Sequence, residues 1–146
     1  MMLMDILHNN VVTTPLRAPQ NTVGTITTSY VDAATSERVQ FAAYIGNIPA
    51  SGTVNFELRQ AQSSGGLNAK QITGGSITTL TESDDNKLVT IDLHVQALDF
   101  ANGFTFVACR FLATDTIVAS AWATQYFIRH GGEAQPAAYA QQVAVY

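Results

Sequence analysis

The sequence predicts an all-β protein, an antiparallel β-sandwich of jelly-roll type with about eight strands and extended N- and C-terminal arms. Three observations carry that expectation. Short runs such as Val39–Ile45, Val54–Leu58 and Val89–Val95 alternate apolar and mostly polar residues, the period of strands with one face buried and one wet. Turn-forming residues separate these runs at intervals of roughly 8 to 15 residues. No window shows helical periodicity beyond a single turn around Val95–Leu98.

Taken in order, residues 1–21 carry Pro15 and Pro19 and little periodicity, and read as an N-terminal arm. The sandwich domain is expected over residues 22–130. Its first strand spans Thr22–Val31 and is closed by Asp32–Ser36. Next comes Arg38–Gly46, with Val39, Phe41, Ala43 and Ile45 on one face. Asn47–Gly52 contains Pro49 and Gly52 between two alternating runs, a hairpin signal leading into Thr53–Ala61. Gln62–Gly75 is polar and Gly-rich, a loop with a short strand at Lys70–Ile72, followed by a strand at Ser76–Leu80. Glu82–Asn86 reads as a tight turn before the strand Lys87–Val95. Asn102-Gly103 introduces Phe104–Ala113, and Thr114-Asp115 leads into Ile117–Ile128, the longest expected strand. Gly131-Gly132 and Pro136 then mark residues 131–146 as a C-terminal arm. That arm ends in the apolar and aromatic stretch Tyr139–Tyr146, suited either to adding a strand to a neighbouring subunit or to folding back on its own sandwich.

A chain of 146 residues fits one domain. Charged residues make up 12% of it, about half the usual share, which suits a rigid fold or a surface partly covered by other subunits. The net charge is −4 and the seven Lys and Arg are spread singly, so direct nucleic-acid binding is not expected. A single cysteine, Cys109, excludes an internal disulfide, fits a reducing cytoplasm and reads as a small buried hydrophobe. The N-terminal Met1–His8 is too short and lacks the positive charge for a signal peptide or membrane span.

Candidate chemical sites are weak. Asp92 and His94 share a strand face and, with His8 or His130, could start a metal site, or with Ser83 a hydrolytic one, but the ligand spacing of zinc is missing. Glu82, Asp84, Asp85 and Asn86 lack the spacing of a calcium loop. Phosphate-binding glycine loops, dinucleotide fingerprints and nucleophile elbows are absent. Phe104, Trp122 and Tyr126 could line a sugar-binding surface, but a core or a subunit contact explains them better. No enzyme, cofactor or metal is therefore expected.

The stretch Phe56–Gly66, in which a strand ending Leu58-Arg59-Gln60-Ala61 runs into a Ser/Gly loop, resembles small structural proteins of tailed bacteriophages. Lys70-Gln71-Ile72-Thr73-Gly74, Ile91-Asp92-Leu93 and Leu98–Val107 continue the resemblance, which covers roughly Val39 to Phe127. It implies a β-sandwich head component, a decoration or cement protein or part of a head spike or vertex assembly, located on the capsid surface of a virion and made in the host cytoplasm. It further implies the major capsid protein and a second and third copy of itself, as a homotrimer, as partners, with no membrane. The expected subunit-contact residues are the apolar side chains outside the core, Leu3, Ile6 and Leu7 in one arm and Tyr139, Val143, Val145 and Tyr146 in the other. The competing expectation is a carbohydrate or host-recognition module of a head or tail fibre, using Tyr44, Trp122 or Tyr126, or a neck or tail structural role.

Overall fold

The alternating runs become seven antiparallel strands, β1 (Val11–Thr27), β2 (Val31–Asp32), β3 (Ser36–Ile45), β4 (Val54–Ala61), β5 (Lys70–Leu80), β6 (Lys87–His94) and β7 (Phe106–Phe127). This computed structural model describes residues 11–127. Three short 3₁₀ turns, at Glu82–Asp84, Val95–Ala97 and Phe100–Asn102, are the only helical elements among them.

β7, 22 residues long, is the spine of the molecule. Along one side lies β1, from Val11 opposite Tyr126 to Thr27 opposite Arg110, and β2 extends that side with Val31 opposite Val107. Along the other side, β3 pairs with the C-terminal half of β7 and β4 with its N-terminal half. β6 flanks β3, and β5 flanks β4. The β1–β7 register breaks between Thr22–Ile117 and Gly24–Ala113. Extra residues at such a break bend a ribbon, and here the sheet folds over so that both halves enclose one core. The result is the antiparallel sandwich of jelly-roll type that the alternation predicts.

Each strand buries its apolar parity. Val39, Phe41, Ala43 and Ile45 of β3 are fully buried, as are Val54, Phe56 and Leu58 of β4 and Val107, Cys109 and Phe111 of β7. The Phe56 and Phe111 rings sit opposite one another in register, centroids 5.2 Å apart and tilted by 43°. The second half of β7 contributes Ala119, Ala121 and Ala123, small side chains that let the opposing half approach closely. Cys109 is a packed hydrophobe, and burial pushes its thiol pKa well above the usual value. Several of the polar groups inside are bonded. Thr28 Oγ1 accepts the Cys109 N–H at 3.1 Å, and Gln125 Nε2 donates to the Asp32 carbonyl at 2.8 Å and to Ser36 Oγ at 3.0 Å.

Several sequence expectations need correction. Residues 11–21, expected within an arm, are strand, because Val12 and Leu16 alternate into the core and the backbone pairs with β7. The expected hairpin between Arg38–Gly46 and Thr53–Ala61 does not form, since β3 and β4 pair with β7 and not with each other. The turn between them crosses the bend instead. Gly46 N–H donates to the Val118 carbonyl at 2.8 Å, and Thr114 N–H to the Thr53 carbonyl at 3.0 Å. Phe104–Ala113 and Ile117–Ile128 merge into β7 because Thr114–Thr116 turn the corner while staying extended. Likewise Lys70–Ile72 and Ser76–Leu80 are one strand, irregular where Gly74 adopts φ +77°. The 131–146 arm and residues 1–10 lie outside the described residues.

Candidate functional site

The surface that stands out is the outer face of the half-sheet formed by β6, β3 and the C-terminal half of β7. Strand register puts Leu88 of β6 opposite Tyr44 of β3, and Tyr44 opposite Ser120 of β7. Trp122 and Val118 flank Ser120 on the same parity, and Tyr126 lies farther along it. Leu88 is 56% exposed, Val118 45% and Tyr44 41%. Trp122 and Tyr126 are half-buried, and Ala42, on the same outward parity, is buried in register with the bulky Trp122.

The face grades in polarity along the strands. Near the far end of β6, the Arg38 guanidinium stacks 4.6 Å from the centroid of the Tyr126 ring, and Arg38 Nε lies 3.9 Å from Asp92 Oδ1. Gln40 Nε2 donates to the same carboxylate oxygen at 3.3 Å. Toward the bend the charges give out, leaving Tyr44, Leu88 and Val118, with the Tyr44 hydroxyl donating to Asn86 Oδ1 at 3.3 Å. Exposed apolar side chains grouped on one sheet face mark a contact surface more often than singly scattered ones do.

Tyr44, Trp122 and Tyr126, singled out in the sequence, are thus brought onto one face. None of the three is a core residue. Leu88 and Val118 were missed, although the signal was present. Each is the outer member of an adjacent apolar pair, Leu88-Val89 and Ile117-Val118, and a strand can bury only one of two neighbours. The expected contact residues Leu3, Ile6, Leu7, Tyr139, Val143, Val145 and Tyr146 lie outside the described residues.

His8 and His130, named beside Asp92 and His94, lie outside the described residues, and among the described residues the candidate chemical sites do not assemble. Ser83 and His94 stand at opposite ends of β6, about 25 Å apart at the rise of a strand. Among the described residues no three His, Cys, Asp or Glu side chains gather in a metal-binding group. The acidic turn is used structurally. Asp84 Oδ2 accepts the Thr81 N–H at 3.1 Å, and Asp85 Oδ1 accepts the Ile48 N–H, tying the turn to the corner loop. No helix among the described residues is long and apolar enough to cross a membrane.

No family model matches the sequence, and no curated protein does. Solved structures do share the fold. VP2 of infectious bursal disease virus, in a subviral particle, superposes with a TM-score of 0.54 at 15% identity, over 80% of this chain and 32% of that one. The same virus's protein in T=1 particles gives 0.50 at 11% identity, over 80% and 31%. A chain of cowpea mosaic virus naturally empty particles gives 0.48 at 8% identity, over 84% and 88%. This chain spans about a third of the infectious bursal disease virus chains it matches. The two higher superpositions show a common sandwich architecture.

Proposed function

We propose that the chain is a non-enzymatic structural component of a virion, a capsid decoration or cement protein of a tailed bacteriophage head that bridges capsomers. The observation that carries this reading is the sandwich it shares with VP2 of infectious bursal disease virus, a protein solved as a subviral particle. The uncharged end of the outer face, at Tyr44, Leu88 and Val118, supports it, as does a sequence with 12% charged residues. Such a protein works by burying surface across junctions between capsid subunits, so that internal pressure is opposed by added contacts. A stable interface of this kind buries about 800 Å² on each partner. In this reading the protein assembles as a homotrimer on the capsid surface and binds the major capsid protein. Leu3, Ile6, Leu7, Tyr139, Val143, Val145 and Tyr146 make the contacts between subunits. Heads stripped of auxiliary proteins should regain heat resistance when the purified protein is added back. Heads that stay as fragile at saturating protein would overturn the reading.

A second reading is favoured by one observation, the common outer face of Tyr44, Trp122 and Tyr126, which suits stacking against sugar rings in a host-recognition module. Saturable quenching of Trp122 fluorescence by glycans would support it, and silence across a broad panel would remove it.

A further inference from the structure

Among the described residues, β1 and β2 pair with β7 alone, β5 with β4 alone and β6 with β3 alone. Such edges offer N–H and C=O groups to another strand, and proteins blunt them with prolines, bulges and charges. β1 is blunted by Pro15 and Pro19 and by register breaks at Pro15/Arg17, Arg17/Gln20 and Thr22/Gly24. β5 is blunted by breaks in its pairing with β4 and by left-handed backbone at Gly74 and Thr79. β2 offers only two residues. β6 is different. Its eight residues run opposite β3 without a break, from Lys87 at Ile45 to His94 at Arg38, and none has a positive φ. Its charges are Lys87, at the first position, and Asp92.

Both faces of β6 are also open. Val89 and Ile91 pack inward against the core yet remain partly exposed, and Leu88, Thr90, Asp92 and His94 are exposed on the outward parity.

The sequence of β6 is self-complementary in one antiparallel register. With a two-fold axis at Ile91, that residue meets its own copy and Val89 meets Leu93 of the second copy. On the outward parity Thr90 meets the second copy's Asp92, hydroxyl to carboxylate. Leu88, 56% exposed, meets the second copy's His94. The two Asp92 residues stand diagonally, about 7–8 Å apart, and each has Arg38 of its own chain at 3.9 Å. The neighbouring registers fit worse. An axis at Thr90 sets Leu88 against Asp92, and one at Val89 sets Lys87 against Ile91. An axis at Asp92 sets two carboxylates face to face, and like charges directly opposite destabilise a strand pair.

We propose that a second copy of this chain docks on β6 by antiparallel β6–β6 pairing about a two-fold axis at Ile91. The contact is isologous, the same surface serving both copies. It joins β1, β7, β3 and β6 of the two copies into one continuous sheet. Main-chain hydrogen bonds supply affinity, and the alternate side chains supply register. This goes beyond the virion reading, because it is a two-fold contact separate from the trimer proposed there and requires no capsid.

Two measurements on the full-length chain test it. Ile91→Cys places a thiol opposite its own copy, within reach of a disulfide, whereas Val89→Cys stands four residues, about 13 Å, from its copy. Ile91→Cys should therefore oxidise to covalent dimer about tenfold faster than Val89→Cys. Cys109 is buried and stays out of the reaction. The second measurement uses Thr90, an exposed residue whose replacement leaves the core untouched. Thr90→Lys puts a cation opposite Asp92 of the second copy, and Thr90→Asp puts a like charge there. Sedimentation at low salt should show the dimer dissociation constant falling about threefold or more in the first and rising about threefold or more in the second. Equal oxidation of the two cysteine variants overturns the proposal. So does a chain that stays monomeric at every concentration, or a pair of Thr90 variants that do not shift association in opposite directions.

Discussion

Glu57 and Arg110 face each other across β4 and β7 on the outer surface of the first half-sheet, and they form an ion pair although Glu57 is buried. Removing one member leaves the other charge poorly solvated, whereas replacing both with apolar groups of similar size does not. Glu57→Ala is therefore expected to cost about 2–4 kcal/mol in chemical denaturation, and the double change Glu57→Met with Arg110→Leu to cost less. Asp99 behaves differently because it is at the surface. Hydrogen bonds from Lys70 and Asn102 hold its carboxyl below the usual value of 3.8, and the Lys70 ammonium also stacks 4.0 Å from the Phe104 ring centroid. With the folded-state pKa the lower one, the native chain binds fewer protons than the unfolded chain between the two values. The contribution is thus intact above 3.8 and fades as pH falls through the folded-state value. Denaturation midpoints measured from pH 6 downward should fall for the parent chain and fall less for Asp99→Asn. Alternation in the sequence foretold which single residues are buried, Cys109 among them. It could not foretell either of these pairs, since strand register joins residues tens of positions apart.

At the level of elements, the sequence identified the extended runs of β3 to β7 and the turns at Asp32–Ser36 and Glu82–Asn86, but it left Val11–Asn21 of β1 in an arm and ran its first strand through to Val31, where β1 ends at Thr27. It also marked the single turn near Val95. It also misjudged connection. Pro49 and Gly52 do make a turn, but a turn between strands says nothing of whether those strands pair. Here each pairs with β7, and the loop is spent crossing the bend. The bend depends on close backbone approach. A Cβ on Gly46 would stand 2.9 Å from the Val118 carbonyl oxygen, so Gly46→Ala should destabilise the fold by about 1–3 kcal/mol. The alanine row of β7 is equally constrained. Ala121→Leu, placed where the side chain is 1% exposed, should cost a similar amount by overpacking, measurable as a lowered melting temperature. Trp122→Ala, one residue away on the outer parity, should leave the melting temperature within a few degrees of the parent. Under the decoration reading it should weaken attachment to capsids.

The described residues form a single sheet folded on itself, with β7 running through both halves and no assembled catalytic group among them. Its class was legible because period-two alternation and turn spacing are local properties, and one sandwich core accommodates all of them. The long spine was not, because Thr114–Thr116 carry turn residues yet remain extended through the corner. The outer face of β6, β3 and β7 was half legible: the aromatics were evident, but their grouping with Leu88 and Val118 depends on the β6–β3–β7 register. The fold resembles that of proteins in virus particles, and the decoration role proposed from it requires a defined docking position. Co-sedimentation of the purified protein with heads stripped of auxiliary proteins tests that requirement most directly. Saturable binding is expected, at a copy number matching the three-fold and quasi-three-fold positions of the shell. Protein that stays in the supernatant at every concentration would contradict a capsid role.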